Sequence, residues 1–326
     1  MPRLSIIVPC YNEEATIQLL LKSIYDQTYP HPEIEVILAD GMSTDQTRGQ
    51  VAAFQREYPD LQVKVVDNPK RIIPAALNAA LAAAQGEFII RLDGHCTPYP
   101  DYVKNSIADL EQGKGDNVGG VWEIRPAGAG VIARSIAAAA AHPFGVGDAL
   151  YRFTKSAGAV DTVPFGAFRR SLFDQVGKYD ESLLTNEDYE FNTRIRQHGG
   201  VVWLDPAIRS VYFARATLAA LAKQYWRYGF WKLRMLRRYP QTLRLRQALP
   251  PLFVLGCAVL ALLAILLNTA RWLLVIILIL YFTLLVIGAL PVAYRQKDPR
   301  LLVGIPLAIA TMHSCWGAGF LRSLID

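Results

Sequence analysis

The sequence is poor in cysteine throughout and poor in acidic residues over its last third. Its 4 cysteines follow no Cys-x-x-Cys spacing, which gives no recognisable zinc site and indicates a reducing compartment. Up to Asp205 the chain holds 26 acidic and 19 basic residues, out of totals of 28 and 34. No acidic residue occurs between Asp205 and Asp298. We therefore expect a mildly acidic globular part followed by a basic, apolar part.

Two phosphate-binding signatures are also missing. No Gly-x-Gly-x-x-Gly follows the first strand pattern, and no Gly-x-x-x-x-Gly-Lys is present, so neither a dinucleotide oxidoreductase nor a P-loop enzyme is expected. A nucleotide bound by this chain would need its phosphates neutralised by a metal ion. Met1-Pro2-Arg3 leads straight into a strand pattern, and we expect no signal peptide.

Long apolar runs occupy the last quarter of the chain. Residues 251–270 and 272–294 each approach the ~20 apolar residues needed to cross a bilayer, and neither has a charge in its interior. Residues 301–321 are apolar but contain Pro306 and His313. They are compatible with a third span, an interfacial position or a re-entrant segment.

Basic residues flank these runs. Nine precede the first run between Arg215 and Arg246, and Arg295, Lys297 and Arg300 follow the second. The positive-inside rule therefore predicts that the front domain and the 295–300 loop are cytoplasmic, in a multi-pass protein of the inner or plasma membrane. Nucleic-acid binding is the competing explanation, but a position beside membrane segments favours anionic lipid headgroups. The mixture of apolar and basic side chains in residues 217–238 predicts a helix that lies at the membrane surface.

The first two hundred residues alternate between strand and helix patterns. This alternation predicts an α/β fold with a doubly wound, mostly parallel sheet. The predicted strands are 4–9, 34–39, 63–66, 88–92, 118–124, 163–168 and 201–204, and the predicted helices are 13–27 (capped by Asn12), 46–57, 75–84, 132–141 and 186–198. The first four strands each end in polar residues, which we expect to converge on one crevice.

The fourth strand ends in Asp93-Gly94-His95. Oxygen and nitrogen donors at a strand end suit a divalent cation such as Mg²⁺ or Mn²⁺, although a strand-end Asp is also a common turn former or helix cap. Arg71 could neutralise phosphate charge or be a solvated loop cation. Glu187 and Asp188 open a helix, where acidic residues can serve the site or only the helix dipole.

Residues 4–230 resemble the family-2 glycosyltransferases of the GT-A fold. Residues 5–13 (SIIVPCYNE) are similar to the opening strand and nucleotide loop, and residues 40–47 (DGMSTDQT) to the second signature. Asp93-Gly94-His95 stands where the family has Asp-x-Asp, and residues 186–188 resemble the acceptor-side motif. Residues 224–228 (QYWRY) approximate the Gln-x-x-Arg-Trp motif of membrane synthases. Within the family, Asp-x-His with a small C-terminal membrane region is similar to the succinoglycan-type exopolysaccharide glucosyltransferases.

The resemblance implies a role for each matching residue. Asp188 would be the catalytic base, Asp93 and His95 would hold the divalent cation, and Glu187, Gln224, Arg227 and Tyr228 would support the acceptor side. Independently of the motif match, we expect Arg227, with Lys232, to add positive charge at the diphosphate on closure. The residues implied in nucleotide-sugar binding are Pro9, Tyr11, Asn12, Glu13, Asp40, Ser43, Arg71 and Asp93. Two positions depart from the family pattern: His95 replaces the second Asp, and Tyr228 replaces Trp, which weakens a processive interpretation.

The expected function is inverting transfer of a hexose from a UDP-sugar to a lipid-linked saccharide in exopolysaccharide or cell-surface glycan synthesis. Alternatives are a polyprenyl-phosphate hexose transferase, a processive polysaccharide synthase, and a catalytically inactive nucleotide-sensing or scaffold protein. The expected organisation is a cytoplasmic GT-A domain at 1–214, a basic interfacial helix region at 215–249 and two or three transmembrane helices at 250–326. No nucleic-acid partner is expected, and the sequence is compatible with a homo-oligomer.

Overall fold

The computed structural model describes residues 2–326. By their internal contacts these residues divide into two units. The sheet unit comprises residues up to Glu123 together with Phe153–Tyr212, and the helical unit comprises Ile124–Arg152 together with Phe213–Asp326. Each unit is therefore built from two separate pieces of the chain, whereas the sequence suggested one uninterrupted domain over residues 1–214.

Nine strands within the described residues form one sheet in the order β3-β2-β1-β4-β8-β6-β9-β5, with β7 paired to β9. They are β1 (Leu4–Cys10), β2 (Ile34–Asp40), β3 (Gln62–Asp67), β4 (Phe88–Arg91), β5 (Thr97–Pro98), β6 (Asn117–Pro126), β7 (Gly158–Ala159), β8 (Ala167–Arg169) and β9 (Val202–Ala214). The first four are mutually parallel: β1 lies between β2 and β4, and β3 pairs with β2. The predicted α/β class and parallel sheet are thus confirmed.

The central strands are buried on both faces. Every residue of β2 and β4 is buried, and so is every residue of β1 except Pro9, which explains why apolar residues dominate these segments. Helices connect the parallel strands. The α-helices among residues 2–326 are α1 (Ile17–Tyr25), α2 (Thr47–Glu57), α3 (Ile73–Ala83), α4 (Tyr102–Glu111), α5 (Val131–Ala140), α6 (Pro143–Val146), α7 (Leu172–Val176), α8 (Glu187–Gln197), α9 (Leu218–Leu236), α10 (Leu245–Leu263), α11 (Asn268–Gln296) and α12 (Leu301–Ile325).

The first helix begins later than the sequence pattern predicted. The expected start at residue 13 with Asn12 as its cap is wrong, because α1 begins at Ile17 after Thr16. Asn12 has a positive φ of 54°, and its backbone and side chain are committed to the neighbouring loop instead of to a helix end.

The second half of the sheet is antiparallel. The chain returns along β4 as β8, which pairs with β6. The strand predicted at 163–168 is wrong over most of its length, because only Ala167–Arg169 is extended and paired. Phe165 and Gly166 have positive φ values of 63° and 108°. A Cβ on Gly166 would lie 2.5 Å from Oδ1 of Asn117, so this turn requires glycine.

The helical unit contains α5, α6 and α9 to α12. Among the described residues, α10, α11 and α12 are long and apolar enough to cross a membrane, judged by length and composition. The Ala-rich α5 packs in this unit through Arg134, which pairs with Asp298, and Ser135, which lies against Gly304. These contacts are why residues 124–152 group with the C-terminal helices.

Candidate active site

The carboxyl ends of the parallel strands bring several predicted site residues to one edge of the sheet. Cys10 at the end of β1 is in register with Asp40 at the end of β2, and Asp40 is in register with Asp67 at the end of β3. Asp93 follows β4 by two residues. This shared edge is the position at which open α/β sheets bind ligands.

The loops after β1 and β2 are joined by hydrogen bonds. The backbone N–H of Asn12 donates to Oγ of Ser43 (2.9 Å), and the N–H of Thr44 donates to Oδ1 of Asn12 (2.9 Å). The N–H of Glu13 donates to Oγ1 of Thr47 (2.8 Å). Asn12, Glu13 and Ser43, predicted from two separate motifs, therefore belong to one pair of interlocked loops.

Asp40 is paired with Arg48, a residue that was not predicted from the sequence to belong to the site. The Asp40 side chain is only 1% exposed, and its Oδ2 accepts a hydrogen bond from Nε of Arg48 at 2.5 Å. A second guanidinium nitrogen of Arg48 donates to Oδ1 of Asp67 at 2.6 Å. The hydrogen bonds to Asp67 and Asp40 raise the pKa of Arg48. Arg48 therefore bridges the ends of β2 and β3 and fixes the orientation of the Asp40 carboxylate, to which Ser43 also donates.

A local signal for Arg48 exists in the sequence. Arg48 is the second residue of α2, and the first turn of that helix has no acidic residue. A cation in a first turn opposes the helix dipole, so its presence there indicates a nearby anion.

The glycine between Asp93 and His95 allows two loops to approach closely. A Cβ on Gly94 would lie 3.1 Å from Cγ of Glu13 and 3.5 Å from the Cβ of Cys10. Nδ1 of His95 is 3.2 Å from Oε1 of Glu13. The loops after β1 and β4 are thus in contact through Glu13, which also accepts from the hydroxyl of Thr16.

Asp93 and His95 offer two donors to a cation. Among residues 2–326, no group of three or more His, Cys, Asp or Glu side chains is arranged to hold a metal ion. Two donors nevertheless fit Mg²⁺ or Mn²⁺, because such ions are commonly bound through one or two protein ligands with the remaining positions filled by substrate phosphates and water. The donor set therefore suits a cation that arrives with a phosphorylated substrate.

A buried arginine joins Asp93 to the 186–188 motif. One terminal nitrogen of Arg91 lies 2.8 Å from Oε1 of Glu187 and 3.2 Å from Oδ1 of Asp93. The side chains of Arg91 and Glu187 are only 5% and 7% exposed, compared with 30% for Asp93. Nε and the other terminal nitrogen of Arg91 are buried without a hydrogen-bond partner among the described residues.

The close packing of Arg91, Asp93, Glu187 and Asp188 shifts the pKa values of Arg91 and Glu187. Burial acts to lower the pKa of Arg91, but Asp93, Glu187 and Asp188 outweigh burial and raise it well above its ordinary value. Burial is the largest influence on Glu187 and raises the pKa of that carboxyl, with Arg91 acting in the opposite direction. Arg91 is therefore a permanent cation beneath the acidic edge.

Asp188 lies beside this cluster and is partly exposed. It is in the first turn of α8, which begins after Asn186, a residue with a left-handed φ of 69°. The Asp188 carboxylate accepts a hydrogen bond from the N–H of Tyr189 at 2.7 Å. Glu187 thus points its carboxylate at Arg91, while the next residue keeps a carboxylate at the surface.

The other predicted site residues are less informative. Pro9 lies in β1, Tyr11 is 47% exposed, and Arg71 is exposed in a turn after β3 where its N–H bonds to the carbonyl of Asn68. Gln224, Arg227 and Tyr228 lie on α9 in the helical unit, where the amide of Gln224 donates to the Tyr228 hydroxyl at 2.8 Å. Their acceptor-side role stays a prediction.

Comparison with known proteins identifies the class. The chain belongs to glycosyl transferase family 2, whose family model matches residues 5–177. It is 32% identical over 323 residues to succinoglycan biosynthesis protein ExoA of Rhizobium meliloti (strain 1021), a match that covers 98% of this chain and 94% of the relative. The expected resemblance is confirmed.

Two further relatives extend the comparison. A dolichyl N-acetyl-α-D-glucosaminyl phosphate 3-β-D-2,3-diacetamido-2,3-dideoxy-β-D-glucuronosyltransferase of Methanococcus voltae is 26% identical, with 99% of this chain and 97% of the relative covered. The mannosyltransferase PcManGT of Pyrobaculum calidifontis, solved with GDP-Man and Mn²⁺, superimposes with a TM-score of 0.70 at 22% identity and covers 99% of this chain and 87% of that one. This structural likeness confirms the fold.

We expect Arg91→Met to destabilise the sheet unit. Removing the cation leaves Glu187 and Asp93 without compensation, and breaking a buried ion pair in this way costs about 3–5 kcal/mol. For a unit of this size that loss lowers Tm by on the order of 10 °C. Thermal unfolding of the detergent-purified chain, followed by circular dichroism, measures the effect.

Arg169→Met is the matched control. Arg169 lies in β8 of the same sheet and pairs with Glu87, but the two side chains are 44% and 55% exposed. Such pairs contribute about 0–1 kcal/mol. Equal Tm values for the two variants would contradict the role assigned to Arg91.

Proposed function

We propose that the protein is a membrane-anchored, inverting glycosyltransferase. It moves a hexose from a nucleotide-diphosphate sugar, with UDP favoured, to a lipid-linked saccharide during exopolysaccharide or cell-surface glycan synthesis. Its active site faces the cytoplasm. Transfer of a sugar follows from the family, and to this we add the donor, the stereochemistry, the acceptor, the metal dependence and the membrane attachment.

The observation that carries the proposal is the buried bridge from Asp93 through Arg91 to Glu187. Asp93 belongs to the motif that holds the donor diphosphate in the family, and Glu187 belongs to the acceptor-side motif. A single guanidinium that connects the two motifs supports a direct displacement, in which the leaving group and the catalytic base act within one site.

Donor binding is assigned to the interlocked loops. Pro9, Tyr11, Glu13 and Asp40 would surround the base and ribose, with Asn12 and Ser43 shaping the loops and Arg71 beside the phosphates. Asp40 is suited to hydrogen-bond the base, because Arg48 and Ser43 hold its carboxylate in one orientation. UDP is favoured by the family resemblance, whereas the structural relative from Pyrobaculum calidifontis was solved with GDP-Man.

Asp93 and His95 are the residues that would hold Mg²⁺ or Mn²⁺. Such an ion supplies a Lewis acid that stabilises negative charge on the departing diphosphate. Asp93, tied to Arg91, is the fixed ligand of the two. His95 would ligate the ion or hydrogen-bond the diphosphate, and Glu13, which contacts Nδ1, would orient its ring.

Asp188 is assigned as the general base. It accepts the proton of the acceptor hydroxyl while that oxygen attacks the anomeric carbon opposite the diphosphate. One base and one displacement invert the configuration, so an α-linked donor gives a β-linkage. Arg91 supports this role indirectly, because pairing with Glu187 leaves Asp188 as the accessible carboxylate of the motif.

A lipid-linked acceptor is supported by two observations. The Methanococcus voltae relative is named for transfer to a dolichyl-phosphate-linked sugar. The helical unit of this chain supplies apolar helices beside a basic helix, α9, which suits attachment where lipid-linked saccharides are found. Gln224, Arg227 and Tyr228 on α9 remain proposed acceptor-side residues.

We expect Asp188→Asn to lose transfer while it keeps donor binding. An amide of similar shape cannot accept the proton, and loss of general-base catalysis costs roughly 10²–10⁴-fold in rate. Release of the nucleoside diphosphate in the presence of a polyprenyl-diphosphate saccharide measures transfer, and calorimetric titration with UDP measures binding.

The control is Asp174→Asn, which changes an exposed Asp in α7 of the same unit. Its rate should match that of the unaltered chain. Normal turnover by Asp188→Asn would remove Asp188 from the base role, and transfer to a bare polyprenyl phosphate would favour the polyprenyl-phosphate hexose transferase alternative.

Metal dependence is tested by binding as well as by activity. We expect Mn²⁺ to strengthen UDP binding by on the order of tenfold, about 1.4 kcal/mol, and Asp93→Asn to abolish that gain because it removes a charged ligand. EDTA should eliminate transfer. A parallel titration with GDP identifies the base. UDP affinity that is the same with Mn²⁺ and with EDTA contradicts the metal assignment.

A further inference from the structure

The three long apolar helices differ in how deeply they are packed. In the most apolar stretch of each helix, 44% of α12 is buried inside the protein, compared with 17% of α10 and 11% of α11. Its mean hydropathy is also the lowest, at 1.5 compared with 1.7 and 3.1. α12 is thus covered by protein more extensively than α10 and α11, which leave most of their apolar residues exposed to a membrane.

The C-terminal half of α12 packs on a strongly basic helix. A Cβ at Gly229 of α9 would lie 2.1 Å from the carbonyl oxygen of Trp316, and a Cβ at Gly319 would lie 2.2 Å from the carbonyl oxygen of Trp226. The two backbones therefore touch. α9 carries four cationic side chains, Lys223, Arg227, Lys232 and Arg234.

Charges also tie the end of α12 to α9. Arg237, directly after α9, donates to the carbonyl of Ser323 at 2.9 Å, and Arg234 lies 3.7 Å from the Asp326 carboxylate. Cationic side chains are costly in the hydrocarbon core, so α9 belongs at or above the headgroups. The part of α12 packed against it, from Trp316 onward, must lie at the same level.

The remaining half of α12 is too short to cross. Residues 301–315 extend over about 22 Å as a helix, whereas the hydrocarbon core is about 30 Å thick. Before this half stands Asp298, which pairs with Arg134 of α5 and with Arg300 (2.9 Å). Both ends of α12 are therefore anchored by ion pairs within the helical unit, to Arg134 of α5 at one end and to Arg234 of α9 at the other.

α10 and α11, in contrast, have the exposed apolar surface and the length that a crossing of the bilayer requires. Ala264–Leu267 is a short connector between them, and Ile265 and Leu266 are 74% and 85% exposed. No charged residue lies between Arg271 and Arg295, a helical distance of about 35 Å, which exceeds the thickness of the hydrocarbon core. Phe253 stacks on Tyr281 at 4.6 Å between ring centroids and joins the two helices.

We propose that α10 and α11 cross the bilayer as a hairpin, whereas α12 reaches down only to Tyr281 of α11, whose hydroxyl lies 2.9 Å from Nδ1 of His313, and does not cross. Residue 326 is then on the same side of the membrane as α9, not on the opposite side as three crossings would require. The exposed apolar residues Val303, Leu307, Leu324 and Ile325, together with Arg322, suit the boundary between headgroups and acyl chains. The proposal rests on the membrane attachment proposed above and is independent of transferase activity.

Cysteine labelling in oriented membrane vesicles tests this arrangement. The full chain is prepared in three forms: Lys104→Cys on the exposed surface of α4, Asn268→Cys at the start of α11, and a cysteine appended after residue 326. A membrane-impermeant maleimide is applied to right-side-out and to inverted vesicles. Labelling of the unaltered chain, in which Cys10 and Cys96 are buried, is subtracted.

We expect the appended cysteine and Lys104→Cys to react in the same type of vesicle, and Asn268→Cys to react in the other. If the appended cysteine reacts together with Asn268→Cys, then α12 crosses and the proposal is wrong. If Asn268→Cys reacts on the side of Lys104→Cys, or in neither type of vesicle, the hairpin does not cross. Recovery of the chain in the soluble fraction would instead remove the membrane attachment itself.

Discussion

The buried guanidinium of Arg91 is the interaction on which the rest of the site depends. Its two partners, Asp93 and Glu187, come from separate parts of the chain, and Glu187 is 96 positions from Arg91. Transferring a cation out of water is costly unless an anion is close enough to compensate for it. The strand end and the start of α8 are therefore held together, because separating them would leave a charge unpaired in the interior.

Arg48 repeats this arrangement at the neighbouring strand ends. It contacts Asp40 and Asp67 as Arg91 contacts Asp93 and Glu187, and each arginine holds two carboxylates that would otherwise repel each other. The resulting edge of the sheet is ordered but still rich in negative charge. A diphosphate would be repelled by that edge, which is the electrostatic reason that a divalent cation suits Asp93 and His95.

The sequence predicted those parts that depend on local pattern. Apolar runs that end in polar residues identified β1 to β4, because burial on both faces of β1, β2 and β4 favours apolar side chains at most of their positions. The role of Arg91 was not predicted because its partner Glu187 is 96 positions away, and no local pattern reveals that contact. Arg48 was missed although its place in a first helical turn was a usable signal.

Other differences also have physical causes. The strand expected at 163–168 fails at Phe165 and Gly166, whose left-handed backbone depends on a close approach to Asn117 that no local pattern reveals. Asn12 resembles a helix cap in composition, but its hydrogen bonds go to Ser43 and Thr44. The association of α5 with α12 was not foreseen, since an Ala-rich helix gives no indication of its partner.

That association sets an order for assembly during synthesis. Arg134 of α5 and its partner Asp298 are 164 positions apart, and at about 5–20 residues per second the ribosome needs roughly 8–30 s to make the intervening chain. The segment that forms the sheet is complete by then, while the Ala-rich face of α5 still has no protein to cover it. The nascent chain therefore exposes an apolar surface for many seconds. Synthesis close to a membrane would let lipid cover that surface, whereas slow delivery of the nascent chain to the membrane would favour aggregation.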